Sequence, residues 1–252
     1  MNLTILSIYS NYYYVLTALI GFLNVGYTAI LGGVGNSIVV DNKEKQYSLF
    51  SELSKILYYV IDIITVCLFC LYQSFMYFWL GSDEYLFSNT TMILFVACFY
   101  FWQIRIMGLN FKEAAGLWEK DFYKPYLGIL IKIFMSLILV QIIGINGILL
   151  STIFIMSIIY FPWETKIIFR DIFKIKSTEY FKIYILNICF VIFCCILSKT
   201  IISFIPNIGF SSLIIYSMIC ILLTTILFFI IFISVEDLKN IKLRIYGFKK
   251  NG

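Results

Sequence analysis

The sequence predicts an all-α membrane protein, a polytopic helical bundle of about seven transmembrane helices. Its composition is 62% hydrophobic and only 13% charged, whereas soluble domains carry roughly 25% charged residues. Uncharged apolar stretches such as 1–40, 133–163 and 200–235 exceed the roughly 18 residues that mark a membrane-spanning helix. Backbone groups in lipid must pair internally, and blocks such as 226–233 lack the alternation of barrel strands. Each span is therefore predicted to be a helix.

Turn signals divide the chain into elements. The acidic connection 81–88 ends the second span, 144–147 predicts a tight turn between two antiparallel helices, and 206–209 closes the sixth span. We predict a transmembrane domain over 1–235 and a basic cytoplasmic tail over 236–252. The predicted spans are at about 8–34, 56–80, 88–111, 123–142, 146–163, 182–204 and 210–234.

The positions of the cations predict the orientation. All of the 19 Lys and Arg residues except Lys132 and Lys199 lie in four stretches, 43–55, 105–124, 166–182 and 239–250. Cytoplasmic loops collect such residues, so the N-terminus is predicted outside and the C-terminus in the cytoplasm. The excess positive charge suits anionic lipid headgroups rather than nucleic acid. The lipid bilayer is thus the first predicted partner.

Lys132 is the strongest functional candidate. The uncharged stretch 133–163 must hold parts of two crossings, because otherwise the basic stretches 105–124 and 166–182 would face opposite sides. Lys132 then lies roughly 10 Å along the fourth span. An ionisable group at that depth usually marks a transport pathway, although a lysine side chain can also snorkel back to the headgroups. Both interpretations stay open.

Weaker candidates lie in the first two spans. Asp62 is the only acid with a plausible intramembrane position; a site at the membrane boundary is the plainer interpretation, and an ion pair with Lys132 is the alternative. Asn11 and Asn24 accompany the tyrosine-rich segment 9–14. Amides and aromatic rings suit a saccharide route, but for the tyrosines we favour an interfacial aromatic belt.

Enzymatic and metal chemistry find no support in the sequence. The chain has no His, which excludes a Ser-His-Asp triad and a His-ligated zinc site. Cys67 and Cys70 form a C-x-x-C in an apolar helix without a second pair, so we interpret them as packing residues. We predict no catalytic residue, no metal and no cofactor.

The segment 110–125 reads N-F-K-E-A-A-G-L-W-E-K-D-F-Y-K-P. It resembles a cytoplasmic loop of the bacterial O-antigen and capsular polysaccharide flippases, which carries F-[KR]-[DE]-A-A-G-L, then an aromatic residue, an Asp and a basic-Pro pair. The segments 8–13 and 144–152 also resemble parts of these proteins, so the likeness covers about residues 8–170. The loop residues that carry it include Lys112, Ala115, Gly116, Asp121, Lys124 and Pro125.

The resemblance implies a function. The family belongs to the multidrug/oligosaccharidyl-lipid/polysaccharide superfamily, whose members have two lobes and 12 to 14 helices. They move undecaprenyl-diphosphate-linked oligosaccharide across the bacterial cytoplasmic membrane by alternating access, often with a coupling cation. On this likeness Lys132 and Arg105 are candidate cavity cations for the diphosphate, although many relatives carry Asn at the position of Lys132.

Seven helices match only the second half of such a transporter. We therefore expect that the chain alone does not transport, and that it is a truncated reading frame, a degraded gene product or half of a split transporter. A missing N-terminal lobe or partner subunit would supply the other wall. Two alternatives remain: a membrane enzyme of polysaccharide assembly, such as a polymerase or glycosyltransferase, and a non-functional remnant. Asp83 and Glu84 form the only outer acidic pair for such an enzyme.

Overall fold

The computed structural model describes residues 3–206 and 209–232, which are helical with short turns and contain no β-strand. The helices confirm the predicted all-α class and the number of spans: seven are long and apolar enough to cross a membrane. The tail predicted over 236–252 lies outside the described residues, and the orientation of the termini stays a prediction. The seven spans are Leu3–Val40, Lys43–Leu80, Asn89–Ala114, Glu119–Ile143, Ile145–Phe173, Thr178–Ser203 and Phe210–Phe232.

Two of the spans are interrupted. The third breaks at Ile104 and Arg105, and the fifth contains two π-helical turns, Ile155–Tyr160 and Ile168–Phe173. A short 3₁₀ turn, Asp83–Tyr85, connects the second span to the third, and another, Glu119–Asp121, begins the fourth. The α-helices are α1 (Leu3–Val40), α2 (Lys43–Leu80), α3 (Asn89–Gln103), α4 (Ile106–Ala114), α5 (Tyr123–Ile143), α6 (Ile145–Phe154), α7 (Phe161–Ile167), α8 (Thr178–Ser203) and α9 (Phe210–Phe232).

The connection between α1 and α2 is much shorter than the basic loop that the sequence predicts. Only Asp41 and Asn42 separate the two helices. The Asn42 side chain accepts a 3.0 Å hydrogen bond from the backbone N–H of Lys45, and the Gln46 amide donates to the Asp41 carbonyl at 2.9 Å. An N-cap of this kind satisfies the open end of a helix. The basic stretch 43–55 therefore forms the first turns of α2.

α2 is the central helix of the bundle and packs against α1, α3, α8 and α9. Its 38 residues span about 57 Å, longer than a hydrocarbon core of roughly 30 Å. At its N-terminal end Phe50 packs between rings of three other helical segments, with Phe111 edge-on at 5.1 Å and Tyr180 at 5.2 Å between centroids. These aromatic contacts tie the basic end of the bundle together.

α5 and α6 form the predicted antiparallel hairpin around a single non-helical residue. Gly144 adopts φ 61° and ψ −138°, a conformation that glycine alone tolerates well. Beyond it a side-chain carbon at Gly147 would overlap the backbone of Leu139, so the two helices are in close contact. The hydroxyls of Ser136 and Ser151 share a 2.6 Å hydrogen bond across the same interface.

Candidate functional site

A cavity of about 250 Å³ lies between α1, α3, α5 and α6. Its wall combines aromatic rings, hydroxyls and one ammonium group, a mixture that can hold a ligand with both polar and apolar parts. The side chains that give it this character are Tyr9, Tyr13, Thr17, Trp102, Lys132 and Thr152.

Lys132 supplies the positive charge of this cavity. Its side chain is half-buried, beside the Cys98 thiol. In the part of the chain that the structure describes, no acidic side chain forms an ion pair with Lys132. An unpaired cation in a low-dielectric wall attracts an anion more strongly than one in water.

The aromatic segment of α1 divides between the cavity and the core. Tyr9 and Tyr13 stack with their centroids 5.9 Å apart, and Tyr9 also contacts Phe95 at 5.2 Å. Tyr12 is fully buried instead, and its hydroxyl accepts a 3.2 Å hydrogen bond from the Phe87 backbone N–H. The tyrosines thus serve both the cavity and the packing of the bundle.

One face of α1 continues away from the cavity with polar groups. Tyr13, Thr17, Asn24 and Thr28 follow one another at helical spacing and are all exposed, which places them on the same side of the helix. Asn11, the other amide candidate, is half-buried and lies on a different face. The structure therefore brings Asn24, but not Asn11, into line with the cavity residues.

Asp62 is buried between helices of the bundle. Its side chain is fully buried, and one carboxylate oxygen accepts a 2.7 Å hydrogen bond from the amide of Asn187. The Asn187 carbonyl oxygen in turn accepts a 2.7 Å bond from the Tyr100 hydroxyl. Asp62 lies about 28 Å along α2 from Lys43, and its position at the membrane boundary stays a prediction.

The suggested ion pair between Asp62 and Lys132 does not form. The second oxygen of Asp62 is buried and has no hydrogen-bond partner among the described residues. An unsatisfied buried acceptor of this kind is unfavourable and calls for a physical explanation. A proton or a small cation would satisfy it.

A second cluster of buried charges joins the third, fourth and fifth spans. Glu164 accepts from the Arg105 guanidinium at 3.0 and 2.5 Å and from the Lys124 ammonium at 2.5 Å. Lys124 also donates to Asp121 at 2.7 Å, and Lys112 donates to the same carboxylate. All five side chains are at most 8% exposed. We call this set the ion network.

The ring of Tyr160 completes the ion network. Its centroid lies 5.1 Å from the Arg105 guanidinium carbon and 5.2 Å from the Lys124 nitrogen, within the range of cation–π attraction. Arg105 therefore does not line the cavity as the flippase resemblance implied. Sequence reasoning missed Glu164, whose only signal is its position directly after a long uncharged stretch and before a basic one.

The loop that resembles the flippases supplies three members of the ion network: Lys112, Asp121 and Lys124. The other loop residues that carry the resemblance set the backbone conformation next to these three side chains. Gly116 adopts φ 66°, a left-handed conformation that suits glycine, and half-buried Ala115 precedes it. Pro125 lies in the first turn of α5, where a missing N–H is tolerated.

The thiols of Cys67 and Cys70 both approach that of Cys220 on α9. Over residues 3–206 and 209–232 no cysteine forms a disulfide, and no group of three or more His, Cys, Asp or Glu residues is placed to hold a metal ion. The thiols pack as small apolar groups where α2 meets α9.

No family model, no curated protein and no solved structure matches this chain. Its seven apolar helices define it as a multi-pass membrane protein. The likeness to polysaccharide flippases stays a prediction.

Proposed function

We propose that this chain forms part of a transporter that moves lipid-linked oligosaccharide repeat units across a bacterial cytoplasmic membrane. The observation that carries the proposal is the cavity between α1, α3, α5 and α6, in which Lys132 lies among aromatic rings and hydroxyls. The transport step would be a movement of helices without covalent chemistry. We assign no enzymatic role to Asp83 and Glu84, which lie exposed in a short turn.

The chemistry of the cavity suits both ends of such a substrate. The Lys132 ammonium would attract the diphosphate, and this attraction gains strength away from bulk water. The rings of Tyr13 and Trp102 present flat apolar faces to sugar rings, while the hydroxyls of Thr17 and Thr152 would bond sugar hydroxyls.

The polar face of α1 supports a path that extends beyond the cavity. Asn24 and Thr28 are exposed on this face, and polar groups within a membrane generally face a water-filled space or another helix. A closed path needs a second wall opposite α1. We propose that a second lobe or a partner subunit supplies it, so that the chain acts as one side of a two-sided transporter.

Asp62 is the candidate for coupling to an ion gradient. Its unpaired oxygen would be neutralised by a proton or by a cation, and the change in charge would act on its contact with Asn187 in α8. Coupling of this kind requires that the two charge states of the carboxylate favour different helix arrangements. Asp62 is separate from the substrate cavity, as a coupling site can be.

The test measures binding of an undecaprenyl-diphosphate-linked oligosaccharide to the purified chain in lipid nanodiscs. We expect Lys132→Gln to weaken binding by about tenfold, because a charge-assisted contact is worth more than a neutral one. Lys199→Gln is the matched control, since Lys199 is an exposed cation within α8 that does not line the cavity. Equal binding by the Lys132 variant and the control would overturn the proposal.

A second measurement tests whether transport requires a second lobe or a partner subunit. Expression of this chain alone in a strain that lacks its lipid-linked glycan flippase should not restore surface glycan. Restoration by the chain alone would contradict the need for a second lobe or subunit. Binding without restoration is the combined result that we expect.

A further inference from the structure

A second cavity, of about 400 Å³, lies at the basic end of the bundle between the Glu119–Asp121 turn and the fifth span. Lys120 lines one side of it. The other side is a single helical wall that begins with Ile158 and ends with Arg170. We call this cavity the basic pocket, and none of its lining residues belongs to the cavity around Lys132.

The helical wall changes from apolar to basic along its length. Ile158, Pro162, Lys166 and Arg170 line it at a constant spacing of four residues, and Trp163 lies between the apolar and the basic halves. A regular α-helix has 3.6 residues per turn, so a four-residue stripe would drift around it. The two π-helical turns carry more residues per turn and keep this stripe on one side.

The basic pocket carries more positive than negative charge. Of the three cations that line the pocket, Arg170 is paired: it donates two 2.9 Å hydrogen bonds to Asp171. Lys120 and Lys166 are exposed, and within the described ranges neither forms an ion pair. A pocket with this balance attracts an anion.

The ion network holds the two sides of the basic pocket together. Lys124 bonds Asp121, the neighbour of Lys120, and Glu164, the neighbour of Trp163. These buried contacts join the two sides of the pocket without a ligand. A preformed site loses less conformational freedom on binding than one that must be assembled.

We propose that the basic pocket binds the phosphate headgroup of an anionic phospholipid. Lys120 and Lys166 would hold the phosphate, Trp163 would lie at the level of the interface, and an acyl chain would run along Ile158 and Pro162. Basic pockets between transmembrane helices are suited to anionic headgroups, and aromatic residues favour the boundary between headgroups and hydrocarbon. This inference does not depend on what the protein transports.

The experiment uses Trp163 as the probe. Trp79, Trp102 and Trp118 are replaced by Phe in the full chain, which leaves Trp163 as the one tryptophan of the sequence's four. The protein is reconstituted in phosphatidylcholine vesicles with increasing mole fractions of brominated phosphatidylglycerol, whose bromine atoms quench tryptophan fluorescence on contact. Brominated phosphatidylcholine gives the reference.

We expect phosphatidylglycerol to quench Trp163 more strongly than phosphatidylcholine at equal mole fraction. The double substitution Lys120→Gln and Lys166→Gln should weaken the apparent affinity for phosphatidylglycerol by about tenfold, because each surface cation contributes a severalfold factor. Lys45→Gln with Lys176→Gln is the matched control, since both lysines are exposed at the basic end of the bundle, form no ion pair among the described residues and lie outside the pocket. Circular dichroism checks that each variant folds.

Three results would overturn the proposal. The first is equal quenching by the two lipids, and the second is unchanged phosphatidylglycerol affinity in the Lys120 and Lys166 double variant. The third is displacement of the lipid at low concentration by another anion. If inorganic phosphate displaces it, the pocket takes a soluble anion; if undecaprenyl diphosphate does so, the pocket belongs to the transported lipid.

Discussion

The side-chain amide of Asn187 donates a 2.7 Å hydrogen bond to Asp62 and so joins α8 to α2. Tyr100 extends this contact to α3 through its own bond to Asn187. Three helices therefore meet at one carboxylate, and only one of its two oxygens is satisfied by the described protein. A change in the charge of Asp62 would therefore alter hydrogen bonds that involve both α8 and α3.

Replacing Asp62 should separate the effect of its charge from that of its hydrogen bond. We expect Asp62→Asn to leave the free energy of unfolding unchanged or higher, because the amide oxygen still accepts from Asn187 and a buried charge is removed. Asp62→Leu should lower it by about 1–3 kcal/mol, since Asn187 loses its acceptor. Unfolding in a denaturing detergent titration measures both variants. Equal losses would show that the charge itself is required, as for a bound cation.

Glu164 should be among the most sensitive positions for stability. Glu164→Gln removes the charge that balances Arg105 and Lys124, and breaking a buried ion pair costs about 3–5 kcal/mol. Glu179→Gln is the matched control, because Glu179 pairs with Lys182 on an exposed surface, where a pair contributes roughly 0–1 kcal/mol. The same detergent titration compares the two variants. A Glu164 variant as stable as the control would contradict the role of the ion network.

Two glycines should respond to alanine in opposite directions. Gly147→Ala places a carbon against the Leu139 backbone and should cost about 1–3 kcal/mol through overpacking. Gly33→Ala, within α1, meets nothing within 4 Å and should raise helix stability by up to about 1 kcal/mol. Thermal unfolding followed by circular dichroism gives the sign of each change. Loss of stability in both variants would place an unseen contact at Gly33.

Accessibility labelling should test the predicted orientation. In a background without native cysteines, Ala115→Cys and Lys176→Cys should react with an impermeant maleimide only when the cytoplasmic side is open. Ser82→Cys, in the acidic connection, should react from the outside, because basic loops stay in the cytoplasm. Labelling of Ala115→Cys and Lys176→Cys from opposite sides would rule out the predicted topology.

The sequence predicts the helices well because their signals are local. Long uncharged stretches mark the spans, and the turn at Gly144 has the glycine that its left-handed φ requires. The beginning of α2 is less visible, since the capping side chain of Asn42 turns an expected loop into helix.

The buried polar contacts could not be predicted because they are not local. Glu164 bonds Lys124 across 40 residues and Arg105 across 59, and no periodic pattern links positions so far apart. The same holds for the cavity around Lys132, whose lining comes from four helices. Lys132 is placed within a span by the requirement that both neighbouring basic stretches face the cytoplasm. Only the folded bundle shows which side chains surround it.

α2 is one continuous helix of 38 residues, so a tilt at its middle would displace its ends. Asp62 lies near the middle of this helix, about 28 Å from Lys43 at its basic end. If the helix tilts by roughly 10° about that midpoint, its tip sweeps about 5 Å. If α2 tilts as a rigid body about Asp62, the gain or loss of one charge at that carboxylate would displace the basic end of the helix.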